Sequence, residues 1–245
     1  MDYGKYKLGI KEEIMCFAVA WGLSTVAAWL LYKNFAGMLL MLAIYPVYRR
    51  SYQQQQIEKQ KRRLLLQFKD AMQCASAAIL SGYSMENAWI EAEKEVCDLY
   101  GKTSYMAKEM KEMNTAIGMN QPVEQLLYEF ALRSQCEEIL SFAEVLRFAK
   151  RSGGNFGKII HHTTHRISEK LEIEQEIMTV ISGKQMEQKV MNVVPVGLLG
   201  YLNLTSGDFL APLYGNLFGA CVMTTAFAAY LGALLLSRRI VRIEL

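Results

Sequence analysis

Residues 14–32 read IMCFAVAWGLSTVAAWLLY, nineteen consecutive positions without a charge. As a helix rising 1.5 Å per residue, this stretch is roughly 28 Å long, about the hydrocarbon thickness of a bilayer. A cleavable signal peptide would have an apolar core of only about 7–15 residues and then small residues at a cleavage site. Here the run is longer and closes on Trp29 and Tyr32, aromatic types that favour a lipid interface. A retained membrane-spanning helix is expected.

Three more apolar runs lie outward from this one. After Lys33 and Asn34, residues 35–48 form a shorter run that ends in Tyr45, Pro46 and Tyr48 and is followed by Arg49 and Arg50. A two-residue polar break leaves the chain little choice but to turn back through the bilayer. Local thinning and snorkelling of the arginines would accommodate the short span. Near the other end, Val190 to Leu204 is apolar but contains Pro195, Gly197 and Gly200. Pro195 is expected to act as a membrane hinge, either kinking a spanning helix or marking a re-entrant piece. A loop from Thr205 to Asn216 holds one charge, Asp208, and Leu217 to Leu236 is then uncharged throughout.

Orientation follows from the basic residues. Lys5, Lys7 and Lys11 precede the first run; Arg49, Arg50, Lys59, Lys61, Arg62 and Arg63 follow the second; Arg238, Arg239 and Arg242 follow the fourth. The two short connecting loops hold only Lys33. By the positive-inside rule, both termini and the middle of the chain face the cytoplasm. The expected organisation is a tail and transmembrane hairpin over 1–48, a cytoplasmic helical domain over 49–189, and a second hairpin with a basic tail over 190–245. The cluster around Arg62 would lie at the inner lipid surface, and its role in setting topology is enough to explain it.

The averages agree with such a division. Of 245 residues 52% are hydrophobic, and the mean hydropathy is +0.08. The net charge of +3 is too small to argue for nucleic acid. Cys16, Cys74, Cys97, Cys136 and Cys221 form no CxxC pair and read as free thiols in lipid or in a reducing cytoplasm.

Between residues 49 and 189 a helical period takes over. Leu64, Leu65, Phe68, Met72, Ala75 and Ile79 recur every three or four positions. Gly82 suits a helix C-cap, and Ser84 suits the N-cap of a second helix through Trp89, Ala92 and Val96. Gly101 breaks that helix, and a third runs from about Ser104 to Ile117. Pro122, taken as a first helical residue, opens a fourth through Leu126, Leu127 and Phe130. A fifth spans Glu137 to Lys150, with Leu140, Phe142, Val145, Leu146 and Ala149 available for burial. A long sixth helix carries Phe156, Ile160, Thr163, Ile167, Leu171, Met178 and Ile181 on one side. The expected fold is therefore an all-α membrane protein: a cytoplasmic bundle of about six helices flanked by two transmembrane helical hairpins.

No motif argues for catalysis, and the chain is not expected to be an enzyme or to carry a cofactor or metal. In Gly153-Gly-Asn-Phe-Gly-Lys158 only three residues separate Gly153 from Gly157, and Ile159 follows the lysine. A phosphate loop needs four residues there and a Ser or Thr after the lysine. The segment reads as a connection between helices, where glycine supplies positive φ. His161 and His165 share a helix face, but no separated Cys/His pair completes a tetrahedral site. Met106, Met110, Met113 and Met119 read as adaptable core or contact surface, and the acidic run from Glu86 to Asp98 as a solvated helix face.

Several segments together carry a family resemblance. They are Phe68-Lys-Asp-Ala…Ile79-Leu-Ser-Gly-Tyr-Ser-Met; Gly118…Pro122-Val-Glu-Gln-Leu-Leu…Phe130-Ala-Leu-Arg133; Phe142…Gly153-Gly-Asn-Phe…Ile159; Arg166…Glu176-Ile; and Ser182-Gly-Lys-Gln with Val194-Pro195. Over roughly residues 64–195 the chain resembles the F-domain family of type II secretion and type IV pilus inner-membrane platform proteins. The likeness is greatest to the B and C components of tight-adherence (Flp-type) pilus systems, since a single Gly-Gly-bearing copy sits between two pairs of spans. The resemblance implies a platform, homo- or hetero-oligomeric, in the inner membrane. It would contact a cytoplasmic assembly ATPase, a paralogous platform protein, pilin subunits and the lipid bilayer. The residues expected to carry partner contacts are Glu86, Arg147, Lys150, Arg151, Gly153, Gly154 and Phe156. Two other classes compete with this reading. A transporter or channel would place ionisable residues within its spans, and the four runs hold none. A membrane-anchored signalling protein would need an output module.

Overall fold

A computed structural model of the chain describes residue 3 and residues 8–31, 40–152, 156–205 and 217–241. Among them are eight helices and no strand: α1 Ile10–Leu31, α2 Leu40–Leu80, α3 Met85–Tyr100, α4 Tyr105–Gly118, α5 Val123–Ser134, α6 Glu137–Ser152, α7 Phe156–Thr205 and α8 Leu217–Val241. The fold is all-α. Two compact units are formed, one from Met1–Lys7 with Gln53–Glu172 and the other from Leu8–Tyr52 with Ile173–Leu245. Helices α2 and α7 contribute to both.

The first unit is a six-helix bundle made of the C-terminal part of α2, helices α3 to α6, and the start of α7. Its connections are short, and several helix ends are capped. Gly82, at φ 95°, terminates α2, and the Tyr83 N–H reaches back to the Ala78 carbonyl at 3.1 Å. Ser84 then opens α3 by accepting from the Asn87 N–H at 3.3 Å, and Ser104 opens α4 through the Ala107 N–H at 3.4 Å. Each such cap satisfies a backbone donor that a helix start leaves open, worth about 1 kcal/mol. Pro122 stands one position earlier than expected, as the N-cap of α5 rather than its first helical residue. Gln135, at φ 53°, ends that helix in the left-handed region, a conformation a non-glycine residue holds only when its surroundings fix it. Here the Lys61 ammonium donates to the Gln135 carbonyl at 2.9 Å.

The bundle core draws on all six helices. Phe68 from α2 meets Phe142 of α6 edge-on at 5.3 Å and tilts against Phe130 of α5 at 6.3 Å, separations at which aromatic pairs attract beyond their area burial. Leu64, Met72, Trp89, Met106, Met110, Leu127, Ile139 and Leu146 are fully buried around them, and Ile160, Ile167 and Leu171 close the core from α7. Met106, Met110 and Met113 thus serve as core, while Met119 is exposed. Period-based reading fails in three places. Val145 is 42% exposed, Met178 is also exposed, and Thr164 is buried in place of its neighbour Thr163.

The second unit contains two antiparallel helix pairs. Phe17 of α1 packs edge-on against Tyr45 of α2 at 6.0 Å, and Glu13 pairs with Arg49 at 3.2 Å, so ascending positions on α1 meet descending ones on α2. Similarly, Gln188 of α7 donates to Ser237 of α8 at 2.7 Å, and Tyr230 donates to the Asn192 carbonyl at 2.6 Å. Helix α7 runs through Pro195 without interruption. Proline there withholds the N–H that would bond the Met191 carbonyl and loosens that turn. Tyr230 holds the adjacent carbonyl.

Among the described residues no helix is long and apolar enough to cross a membrane. The expected spans 14–32, 35–48 and 217–236 each include residues outside that description or with side chains outside it. The stretch 190–204 is described, but Asn192 and Asn203 dilute it.

Candidate functional site

Of the residues expected to carry partner contacts, Arg147 and Lys150 come together on one face of α6, against α5. The Arg147 guanidinium lies 4.6 Å from the centre of the Tyr128 ring, a cation–π distance. The Lys150 ammonium pairs with Glu124 at 2.7 Å. Both therefore serve the α5–α6 packing while remaining exposed at their outer sides. Glu86 is exposed in the first turn of α3, where a carboxylate is favoured by the helix dipole, and takes part in neither pairing. Gly153 and Gly154 lie outside the described residues, as do the side chains of Arg151 and Phe156. Pro195 sits within α7, as above.

The acidic face of α3 is largely solvated. Glu91 pairs with Lys94 at 2.9 Å within the helix, and Glu93 accepts from Asn114 of α4 at 2.5 Å. The three histidines are exposed on α7, with His165 at 3.4 Å from Glu169. Among the described residues no group of three potential ligands could hold a metal ion. A shallow hollow of about 330 Å³ on α7 is lined by Ile173, Glu176, Ile177, Val180 and Ile181, a mostly apolar surface with one ionisable group.

The site that sequence reading missed lies between α4 and α5. Tyr3 is fully buried there. Its hydroxyl donates to Glu109 Oε1 at 2.9 Å, its N–H donates to the Arg133 carbonyl at 3.3 Å, and its ring stands edge-on to Tyr105 at 5.9 Å. Glu109, only 2% exposed, also accepts from Arg133 Nη2 at 2.7 Å. Burial first, then the negative charge of Glu109, hold the Tyr3 phenol well above its ordinary range, so it stays neutral. A single buried carboxylate is thus shared by a phenol and a guanidinium, as a buried charge requires.

The apolar surface is divided between the units. In the bundle most large apolar side chains are buried, whereas in the second unit many are exposed. Ile14, Phe17 and Trp21 are exposed on α1, as are Val190, Met191, Val193, Val194, Leu198, Tyr201 and Leu204 on α7. At 100° per residue the α7 residues fall on one broad face of the helix, an arc of about 160°.

Comparisons with family models, with curated proteins and with solved structures found no match to this chain.

Proposed function

We propose that the protein is an inner-membrane platform that couples a cytoplasmic assembly ATPase to the insertion of pilin or pseudopilin subunits. The observation that carries the membrane part of this reading is the apolar surface left open on the second unit. Leu204 is 79% exposed and Ile14 64%, and the runs in which they lie, residues 190–204 and 14–32, hold no charged residue. Water would penalise such a surface by about 25 cal/mol for each Å² of apolar area; a bilayer would not.

The coupling part rests on the resemblance, on the absence of a catalytic constellation among the described residues, and on helix continuity. Helices rather than loops cross the divisions at Tyr52–Gln53 and Glu172–Ile173. A helix passes displacement along its axis where a loop would dissipate it. In this reading the bundle receives the ATPase at its exposed charged surface, near Glu86 on α3 and Arg147 and Lys150 on α6.

The test is co-purification of the detergent-solubilised chain with the assembly ATPase encoded alongside it, across nucleotide states. A complex that forms with the parent chain and is lost in Arg147→Glu/Lys150→Glu, with the bundle still folded, supports the reading. Absence of any complex in every nucleotide state overturns it.

A further inference from the structure

The bundle's share of α7, residues 156–172, meets the other helices through two rows of side chains. Ile160, Ile167 and Leu171 form an apolar row that enters the core. Beside it, Gly157, Thr164 and Ser168 fall within about 40° of arc at 100° per residue. Gly157 and Ser168 meet α2, and Thr164 lies between them on α7.

The second row is poorly bonded. Ser76 of α2 donates to the Gly157 carbonyl at 3.5 Å, and Gln73 donates to Ser168 Oγ at 3.4 Å. Both exceed the usual lengths, about 2.5–3.0 Å for a hydroxyl donor and about 2.7–3.2 Å for an amide donor. Thr164 is 2% exposed, and its hydroxyl has no hydrogen-bond partner among the described residues. Buried polar groups are nearly always satisfied, and one left open favours any movement that lets water reach it.

Other joints of the bundle are tighter. Lys150 to Glu124 and Arg133 to Glu109 each close at 2.7 Å, and Gln67 of α2 accepts from the Met106 N–H at 3.0 Å. Phe68, Phe130 and Phe142 bring α2, α5 and α6 together without any ring from α7. Helix α7 does pair Lys170 with Glu138 of α6 at 2.5 Å, but that lysine is half-exposed and the bond is screened by water.

We propose that residues 156–172 of α7 form a release joint, a segment that leaves α2 and reseats as a unit while α2 to α6 stay packed. Opening forfeits the burial of Ile160, Ile167 and Leu171. In return it hydrates the Thr164 hydroxyl and gives Gln73 and Ser76 water in place of two long bonds. The geometry lies wholly within the bundle and stands independently of the membrane and ATPase reading.

The experiment is hydrogen exchange on the full chain in detergent, resolved to single amides. In the parent chain the amides of Thr164, Ile167, Ser168 and Leu171 should exchange at least about tenfold faster than those of Leu127, Phe130, Phe142 and Leu146, through an opening smaller than global unfolding. Thr164→Val keeps the shape of the side chain and removes the unsatisfied hydroxyl. It should slow the four α7 amides about tenfold and leave those of α5 and α6 unchanged. Exchange of the α7 amides in step with α5 and α6 in the parent chain overturns the proposal, and that measurement stands even if Thr164→Val does not fold. Unchanged or faster α7 exchange in a folded Thr164→Val chain overturns it as well.

Discussion

Replacing Glu109 by alanine removes the acceptor shared by Tyr3 and Arg133, and the structure sets the size of the effect. The Tyr3 hydroxyl, fully buried, is left without a partner at a cost of about 1–3 kcal/mol. Arg133 keeps 41% of its side chain exposed and can turn to water, so its lost ion pair adds less than about 1 kcal/mol. The vacated side-chain volume adds about 1 kcal/mol. The expected loss is about 2–4 kcal/mol, or about 8–16 °C in the melting temperature of a unit of this size. Tyr3→Phe alone should cost about 1–2 kcal/mol, but in the Glu109→Ala background it should cost nothing or even stabilise, since it then removes an unsatisfied hydroxyl. The double-mutant coupling is expected at about 1–2 kcal/mol. Denaturant unfolding followed by Trp89 fluorescence, with Trp21 and Trp29 replaced by phenylalanine, reports on the bundle alone, because Trp89 is buried in its core. Additive effects of the two substitutions, or a neutral Glu109→Ala, would refute the shared-carboxylate reasoning.

Other expectations follow from the same packing. Phe68→Ala should cost the bundle about 3–5 kcal/mol in that assay, while Met119→Ala, at an exposed position, should stay within about 0.5 kcal/mol. Alkali should destabilise the bundle, and the sign is fixed by the phenols. Tyr100, hydrogen-bonded to Asp70, is pushed up to about 12, and Tyr3 is also raised. Each favours the folded state fully below the unfolded tyrosine value of about 10. That contribution is lost as pH rises from there through the folded value. A pH series of unfolding midpoints should bend downward above about pH 10, and less so in Tyr100→Phe. Tyr230→Phe should weaken the α7–α8 pair by about 0.5–1.5 kcal/mol through loss of its bond to the Asn192 carbonyl, seen as faster hydrogen exchange near Pro195.

Local chemistry was legible in the sequence wherever a single residue decides it. Ser84 caps a helix because its side-chain oxygen reaches the next turn, and Gly82 and Gly101 take positive φ that other residues resist; Ser104, read only as a helix start, caps its helix in the same way. Stripes were legible where the whole face is covered, as from Leu64 to Ala75. They failed at Val145, where the period is right but the side chain is 42% exposed. For Pro195 the sequence left two alternatives, a kinked helix or a re-entrant piece, and α7 is helical through it; the bond from Tyr230 to the nearby Asn192 carbonyl comes from another helix and was not legible. The Tyr3 site was hidden by 106 positions of sequence separation. Yet one signal was available: Glu109 falls on the same helix face as Met106, Met110 and Met113, and a carboxylate on a buried stripe calls for a partner.

The claim on which the functional account turns is that the apolar runs are embedded in lipid with the bundle inside the cell. Single-cysteine reporters in a chain whose five native cysteines have been replaced test it directly, with a membrane-impermeant maleimide applied to intact cells. Lys33→Cys is expected to label from outside, and Glu129→Cys, exposed on α5, only after permeabilisation. A chain released from membranes by alkaline extraction, or a Glu129→Cys that labels in intact cells, would contradict the account.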